Sequence, residues 1–211
     1  PLARHFALSA ASKIAALLNK GVAFHKAGDV SNAEKFYDRV LKADRKNPDA
    51  LNLKGLIAKD RGEAGVALAL FDLAISAHQE FVEAHFNKAT ALTALGRRED
   101  ALRSYADALR LNPGHPEARL NTGNVLHDMG REDEAIAAFR AMSQICPQDS
   151  RGHYNLGYCL TKNLPRAAET ARGGIADEAI AALTRARALN PSNADIYLSL
   201  ADAHAFRGDY G

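Results

Sequence analysis

The stretch Pro116–Asp149, PEARLNTGNVLHDMGREDEAIAAFRAMSQICPQD, decides the fold of this chain. Its small and apolar residues recur with the three-to-four-residue spacing that is typical of amphipathic α-helices. The tripeptide Met129-Gly130-Arg131 separates two such helices as a turn, since glycine adopts backbone angles that other residues avoid. Pro147 closes the second helix. The stretch therefore predicts one helix–turn–helix unit.

This unit recurs along the chain with a period of 34 residues. Four rows of equivalent positions keep the period: Gly21, Gly55, Ala89, Gly123 and Gly157; Gly28, Gly62, Gly96 and Gly130; Ala33, Ala67, Ala101 and Ala135; and Tyr37, Phe71, Tyr105 and Phe139. A fixed period of this length is the signature of a repeat protein, whose helix pairs stack and bury a continuous core. The length and residue order of the repeat resemble the tetratricopeptide repeat (TPR) family over nearly the whole chain.

The resemblance implies an all-α fold. It predicts an α-solenoid, coiled as a right-handed superhelix, of about five TPR helix–turn–helix units plus a terminal half unit. Residues 1–13 are predicted to be a lead-in that caps the stack, and residues 14–211 to be the solenoid. The predicted units are 14–47, 48–81, 82–115, 116–149 and 150–193, followed by the partial unit 194–211. Because that last unit stops where its second helix would begin, we expect the natural chain to continue.

The period fails in the fifth unit. Its turn glycine is expected seven residues after Gly157, but Gly174 follows Gly157 by seventeen residues, so about ten residues are inserted near 163–173. The pattern predicts that Gly174 is the turn. The insert would then be either a short helix that begins at Pro165 or a flexible loop. It is either a tolerated surface insertion or a contact for a partner or for self-assembly.

Charge and cysteine content narrow the function classes. The formal net charge is +2, and no block of Lys and Arg suggests the basic face of a nucleic-acid-binding protein. Cys146 and Cys159 belong to no CxxC or His/Cys ligand spacing, which predicts two free thiols and favours a reducing, cytoplasmic location. No apolar run is long enough to span a membrane, and no signal peptide is visible, although the chain begins at Pro1 without Met and a removed leader remains an alternative.

Catalytic and metal-binding motifs are also missing from the sequence. There is no GxSxG motif, no phosphate-binding loop and no HExxH spacing among the eight histidines. We therefore predict a chain with no catalytic residues, no metal ligands and no cofactor.

The candidate binding site is a row of asparagines. Asn87, Asn121 and Asn155 lie one period apart, and Asn19 falls on the same row two units before Asn87, with Leu53 at the intervening place. A side-chain amide offers two donors and an acceptor, which match the peptide groups of an extended ligand. The row is similar to the asparagine ladder in the TPR superhelix of O-GlcNAc transferases. It also fits the general TPR consensus, so the row alone does not require a ligand.

A helical wheel at about 100° per residue assigns further residues to the same side. By resemblance to TPR proteins, that side lines the concave groove in which extended peptides bind. Besides the asparagine row, the predicted peptide-binding residues are Asn124, Lys59, His127 and Tyr158. Mixed charges on this side do not match a clamp for a terminal carboxylate. A lysine row, Lys20, Lys54 and Lys88, is predicted to lie near the stacking face instead.

Three functions follow from these patterns. The first is a non-catalytic scaffold that holds a partner protein or an extended peptide in its groove. The alternative is the substrate-recognition arm of a larger enzyme, such as a bacterial O-GlcNAc transferase-like glycosyltransferase. The third is a structural protein that self-associates through the ends of its solenoid.

Overall fold

The computed structural model describes the backbone of residues 2–208 and the side chains of residues 11–208. These residues form helices and no strand, which confirms the all-α prediction. The helices are α1 (Leu2–Lys26), α2 (Val30–Ala43), α3 (Pro48–Asp60), α4 (Ala64–Ala77), α5 (Val82–Ala94), α6 (Arg98–Leu111), α7 (Pro116–Asp128), α8 (Glu132–Ile145), α9 (Ser150–Asn163), α10 (Glu169–Leu189) and α11 (Ala194–Arg207). The capping role predicted for residues 1–13 depends largely on side chains outside the described residues, and residues 209–211 of the half unit also lie outside them.

The chain divides into two compact units, residues 1–111 and residues 112–211, called the first and the second unit below, while each repeat is called a helix pair. In the first unit α1 packs on α2, α3 on α4 and α5 on α6, and successive pairs meet through α2–α3 and α4–α5. In the second unit α7 packs on α8 and α9 on α10, and α11 packs on α10. The first helices of successive pairs also touch, α3 with α5 and α9 with both α7 and α11. Each unit is therefore a stack of helix pairs.

The first four pairs turn at glycine. Gly28, Gly62, Gly96 and Gly130 have φ angles between 72 and 79°, in the left-handed region where a side chain would be strained. The predicted row of turn glycines is confirmed. The predicted aromatic row fills the interior of the same pairs, because Tyr37, Phe71, Tyr105 and Phe139 are each at most 1% exposed. The repeated positions thus serve the turn and the core.

Two members of the lysine row join successive pairs. Lys54 Nζ on α3 lies 2.5 Å from Asp38 Oδ1 on α2, and Lys88 Nζ on α5 lies 2.7 Å from Asp72 Oδ1 on α4. All four side chains are partly exposed, so each ion pair adds at most about 1 kcal/mol to stability. Each of these lysines links the first helix of its own pair to the second helix of the preceding pair.

The fifth pair corrects the sequence prediction. Gly174 is not a turn, because Gly173 and Gly174 lie inside α10 and neither has a positive φ. The chain turns instead through a short 3-10 helix, Leu164–Arg166, whose Leu164 is fully buried. Relative to the second, third and fourth pairs, α9 is one residue longer, the connection two residues longer and α10 seven residues longer. The insert is therefore mainly an extension of the second helix that follows the short 3-10 turn, and not the flexible loop or the short helix from Pro165 that the sequence predicts.

Replacing both glycines of α10 by alanine tests this correction. Gly173→Ala/Gly174→Ala is expected to raise the free energy of unfolding by about 1–2 kcal/mol, because alanine favours a helix interior over glycine by about 0.8–1 kcal/mol at each site. A Cβ at either position meets no atom within 4 Å, so packing does not oppose the gain. Urea unfolding followed by circular dichroism measures the change. Destabilisation would instead indicate the left-handed turn that the sequence pattern predicts at Gly174.

Candidate functional site

Among the described side chains of the first unit, the predicted site residue Asn87 forms a hydrogen bond with another asparagine. Asn87 on α5 is 9% exposed, and its Nδ2 donates to Oδ1 of Asn52 on α3 at 2.9 Å. Asn19 on α1 is exposed, while Lys59 on α3 is half-buried with its Nζ 3.7 Å from Asp60 Oδ1. Asn52, which sequence analysis left out of the site, thus uses part of the hydrogen-bonding capacity of Asn87.

In the second unit, the structure brings the predicted asparagines of α7 and α9 together. Asn155 Nδ2 on α9 donates to Asn124 Oδ1 on α7 at 3.4 Å, a long hydrogen bond between neighbouring first helices. Asn124 is exposed, whereas Asn121 and Asn155 are half-buried. This amide pair is more accessible to solvent than Asn52–Asn87.

His127 lies at the centre of a second group on α7 and α9. Its imidazole packs against the Tyr158 ring in a T-shaped arrangement, with the centroids 6.0 Å apart and the planes at 79°. Its Nδ1 lies 3.0 Å from Glu132 Oε2 at the start of α8 and 3.9 Å from Cys159 Sγ. The predicted residues His127 and Tyr158 are therefore in contact, together with two residues that the prediction did not include.

A pocket of about 240 Å³ lies between α9 and α11. Tyr154 and Tyr158 form its aromatic wall, and Lys162 Nζ lies 5.6 Å from the centroid of the Tyr158 ring, a cation–π distance. The exposed Leu198 and the carboxylate of Asp202 come from α11. The pocket can hold a side chain that is apolar at its base and polar at its rim.

Burial raises the pKa of two groups near these contacts. Burial, with a smaller contribution from the nearby Glu132 carboxylate, raises the pKa of the Cys159 thiol to about 12. Burial likewise raises the pKa of the Tyr154 hydroxyl, with a smaller contribution from Asp195. Both groups are therefore neutral at physiological pH. The second cysteine, Cys146, is half-buried, and both thiols are free.

Two of the residues that sequence analysis missed, Asn52 and Cys159, share one signal with the predicted pair Asn124–Asn155. The pairs Asn52–Asn87, Asn124–Asn155 and His127–Cys159 are separated by 35, 31 and 32 residues, which is one period give or take three. A separation near 34 places two residues on the facing sides of successive first helices. Comparing residue types at these offsets, rather than only at 34, would have found all three pairs.

The sequence matches the tetratricopeptide repeat over residues 3–48, 18–80, 86–150 and 171–211, which together span most of the chain. The chain belongs to the tetratricopeptide repeat family. With the stacked helix pairs, this match confirms the predicted α-solenoid of TPR units. No curated protein matches the chain in sequence.

Several solved structures resemble this TPR chain. MamA is 24% identical with a TM-score of 0.69, and the alignment covers 83% of this chain and 96% of MamA. YrrB, a TPR protein with an unusual peptide-binding site, is 24% identical with a TM-score of 0.65, and 86% of this chain and 88% of YrrB are covered. At this level of identity the likeness establishes the fold alone.

The O-GlcNAc transferase of Thermobaculum terrenum is also similar. It is 27% identical to this TPR chain with a TM-score of 0.61, over 64% of this chain and 26% of the transferase. The likeness thus concerns about a quarter of that enzyme.

Within residues 2–208, no helix combines the length and the apolar character that crossing a bilayer requires.

Proposed function

We propose that this TPR chain is a non-catalytic scaffold that binds an extended peptide segment of a partner protein. The observation that carries the proposal is the accessible amide pair Asn124–Asn155 on neighbouring first helices. Its single hydrogen bond uses one N–H of Asn155 and the oxygen of Asn124, which leaves the Asn124 amino group and the Asn155 oxygen for a ligand. One donor and one acceptor match the N–H and C=O of a peptide backbone.

The surrounding side chains suit a bound side chain next to that backbone. We assign Asn121 to a further backbone contact, and His127 and Tyr158 to the wall along which the peptide runs. The pocket beside Tyr158, with Lys162 over the ring and paired with Asp202, would take a side chain that is apolar with a polar end. Backbone contacts of this kind give affinity with little sequence preference, while the pocket adds selectivity.

In the first unit we propose a smaller contribution. Asn19 is exposed and Lys59 is half-buried, so both side chains can reach a ligand. Asn87 would contact a peptide only through the edge that its bond to Asn52 leaves exposed. We therefore expect the second unit to provide most of the affinity.

The triple variant Asn121→Ala/Asn124→Ala/Asn155→Ala tests the proposal. A peptide is first selected from a displayed library of linear random peptides, and its binding is measured by fluorescence anisotropy. We expect at least about tenfold weaker binding to the variant, which corresponds to about 1.4 kcal/mol, because the amides no longer meet the peptide groups. Replacing individual peptide N–H groups of the ligand by N-methyl groups should weaken binding to the unmodified protein similarly.

A matched control is Gln144→Ala/Thr184→Ala, which removes two exposed polar side chains from the second helices α8 and α10. This variant should bind the peptide as the unmodified protein does. Circular dichroism verifies that both variants keep their helices. Equal binding by the folded triple variant and the control would reject the amide site.

The second candidate function is a substrate-recognition arm of a larger glycosyltransferase. The observation that favours it is the likeness to part of the Thermobaculum terrenum O-GlcNAc transferase. The coding sequence downstream of Gly211 tests it. A glycosyltransferase domain after further repeats would support this function, and a stop codon after further repeats would reject it.

Self-association through the ends of the solenoid is the third candidate function. Sedimentation velocity over a range of protein concentrations tests this candidate. A monomer at every concentration would reject it.

A further inference from the structure

Three side chains with metal-binding atoms converge beside the proposed peptide surface. His127 on α7, Glu132 at the start of α8 and Cys159 on α9 each offer one ligand atom, and these atoms lie within 4.8 Å of one another. We call this group the His127–Glu132–Cys159 cluster. It is the one group of three such ligands among the residues whose side chains are described. Its members come from three helices, so the fold and not the local sequence assembles it.

The distances within the cluster fit a tetrahedral ion. With metal–ligand bonds of about 2.0–2.3 Å, a tetrahedral zinc site has edges of about 3.3–3.6 Å between ligand atoms. The His127 Nδ1–Glu132 Oε2 distance of 3.0 Å and the His127 Nδ1–Cys159 Sγ distance of 3.9 Å lie on either side of that range. The third distance, between the Glu132 and Cys159 ligand atoms, is at most 4.8 Å. Side-chain rotations that move these atoms by up to about an ångström would therefore bring all three to bonding distance.

The chemistry of the three donors selects the type of ion. A thiolate, an imidazole and a carboxylate together suit zinc and similar borderline divalent ions, whereas magnesium and calcium prefer oxygen ligands alone. Thiolate and carboxylate would offset the two positive charges of the ion. Three protein ligands leave a fourth position for water or another ligand, as in zinc sites that are open on one side.

The surroundings provide both a closed side and an open side. Cys159 is 2% exposed, and the Tyr158 ring packs against the His127 imidazole. Glu132, in contrast, lines a pocket of about 230 Å³ together with Lys162 and Arg166. That pocket reaches Glu132 and has room for the fourth ligand. Its two cations would favour an anionic or water ligand at that position.

We propose that His127, Glu132 and Cys159 form a binding site for one zinc-like divalent metal ion. Binding breaks the S–H bond of Cys159, forms the metal–sulfur bond and releases the proton to solvent, with no change in oxidation state. The burial that keeps the thiol protonated is then outweighed by the adjacent ion. A bound ion would tie α7, α8 and α9 together and fix His127 beside Tyr158.

Cobalt(II) titration of the tag-free protein under reducing conditions tests the site. We expect one Co²⁺ per chain, a near-ultraviolet thiolate-to-cobalt charge-transfer band and visible bands of tetrahedral intensity, all of which Zn²⁺ displaces. Cys159→Ser should abolish the charge-transfer band. Cys146→Ser, which removes the other thiol, should leave the spectrum unchanged. The absence of a thiolate band in the unmodified protein, or its loss in Cys146→Ser alone, would overturn the proposal.

A second variant keeps the test decisive if Cys159→Ser fails to fold. Glu132→Gln alters a partly exposed residue at the start of α8 and keeps both cysteines. It should bind Co²⁺ at least about tenfold more weakly and retain the charge-transfer band. Zn²⁺ should raise the melting temperature of the unmodified protein in proportion to the logarithm of its concentration, and raise that of Glu132→Gln less. Equal affinity and equal thermal shifts in the two proteins would show that Glu132 is not a ligand and overturn the three-ligand site.

Discussion

Phe71→Ala is expected to lower the free energy of unfolding by about 3–5 kcal/mol, the usual cost of deleting a fully buried aromatic side chain. Phe71 on α4 is 0% exposed and belongs to a core cluster with Ala58, Ala67 and Ala91. Three of these four core residues are alanines, whose short side chains cannot move into the space that the ring occupies. Leu56, Leu68 and Leu70 pack against the cluster, and how far they move into the cavity decides where in this range the cost falls.

Gly55, which lies against the Phe71 ring, allows a second test of this prediction. A Cβ built on Gly55 of α3 would lie 2.5 Å from Cε1 of Phe71, so Gly55→Ala alone should cost about 1–3 kcal/mol by overpacking. In the Phe71→Ala background the same change should be neutral or stabilising. The added methyl group then enters the cavity, and alanine favours the helix over glycine by about 1 kcal/mol. The effect of one substitution thus changes sign with its neighbour.

Urea unfolding of the four proteins of this cycle, followed by circular dichroism, measures both effects. Gly65→Ala in α4 is the matched control, because a Cβ there meets no atom within 4 Å. It should be neutral or stabilise by up to about 1 kcal/mol. A similar loss for Gly55→Ala in both backgrounds would show that the contact with Phe71 does not cause the cost.

The fold could be predicted from the sequence because its determinants are local and repeated. A left-handed glycine at Gly62, a buried aromatic at Phe71 and a small residue at Gly55 each have one physical role, and the period repeats that role in every pair. Such rows fix the length of the helices and the side that each one buries. Several independent positions therefore predict the same helix lengths and the same buried sides.

The fifth pair could not be predicted in this way. Gly174 restores the period to Gly208, so the row of turn glycines suggested a turn there. A glycine is nonetheless compatible with a helix at a modest cost, and in α10 the neighbouring alanines and Ile175 continue the helix through it. The actual turn buries Leu164. This tertiary contact is not part of the repeat pattern, so the period could not predict it.

The candidate site was predictable only in part. Helix geometry identified Asn124, His127 and Tyr158 as residues on the first-helix surface. Sequence alone did not reveal that Cys159 faces His127, because that contact depends on the offset between two stacked helices. Nor did it separate a buried amide from an accessible one, since Asn87 and Asn155 occupy the same place in the repeat and differ in burial.

That difference in burial leads to the second prediction. Asn87→Ala is expected to cost about 1–3 kcal/mol, because it leaves the oxygen of Asn52, a residue that is 6% exposed, without its hydrogen-bond donor. Asn52→Ala should cost a similar amount by stranding the amide of Asn87. The double variant removes donor and acceptor together, so its cost should be smaller than the sum of the two by about 1 kcal/mol or more.

The equivalent cycle at Asn124 and Asn155 provides the internal comparison. Its hydrogen bond is 3.4 Å long instead of 2.9 Å, and water can replace either partner because Asn124 is exposed. We therefore expect each single alanine variant to cost less than about 0.5 kcal/mol, with a coupling near zero. Urea unfolding measures both cycles. A coupling at Asn124–Asn155 as large as that at Asn52–Asn87 would mean that the accessible pair serves stability, and it would count against its role in binding a peptide.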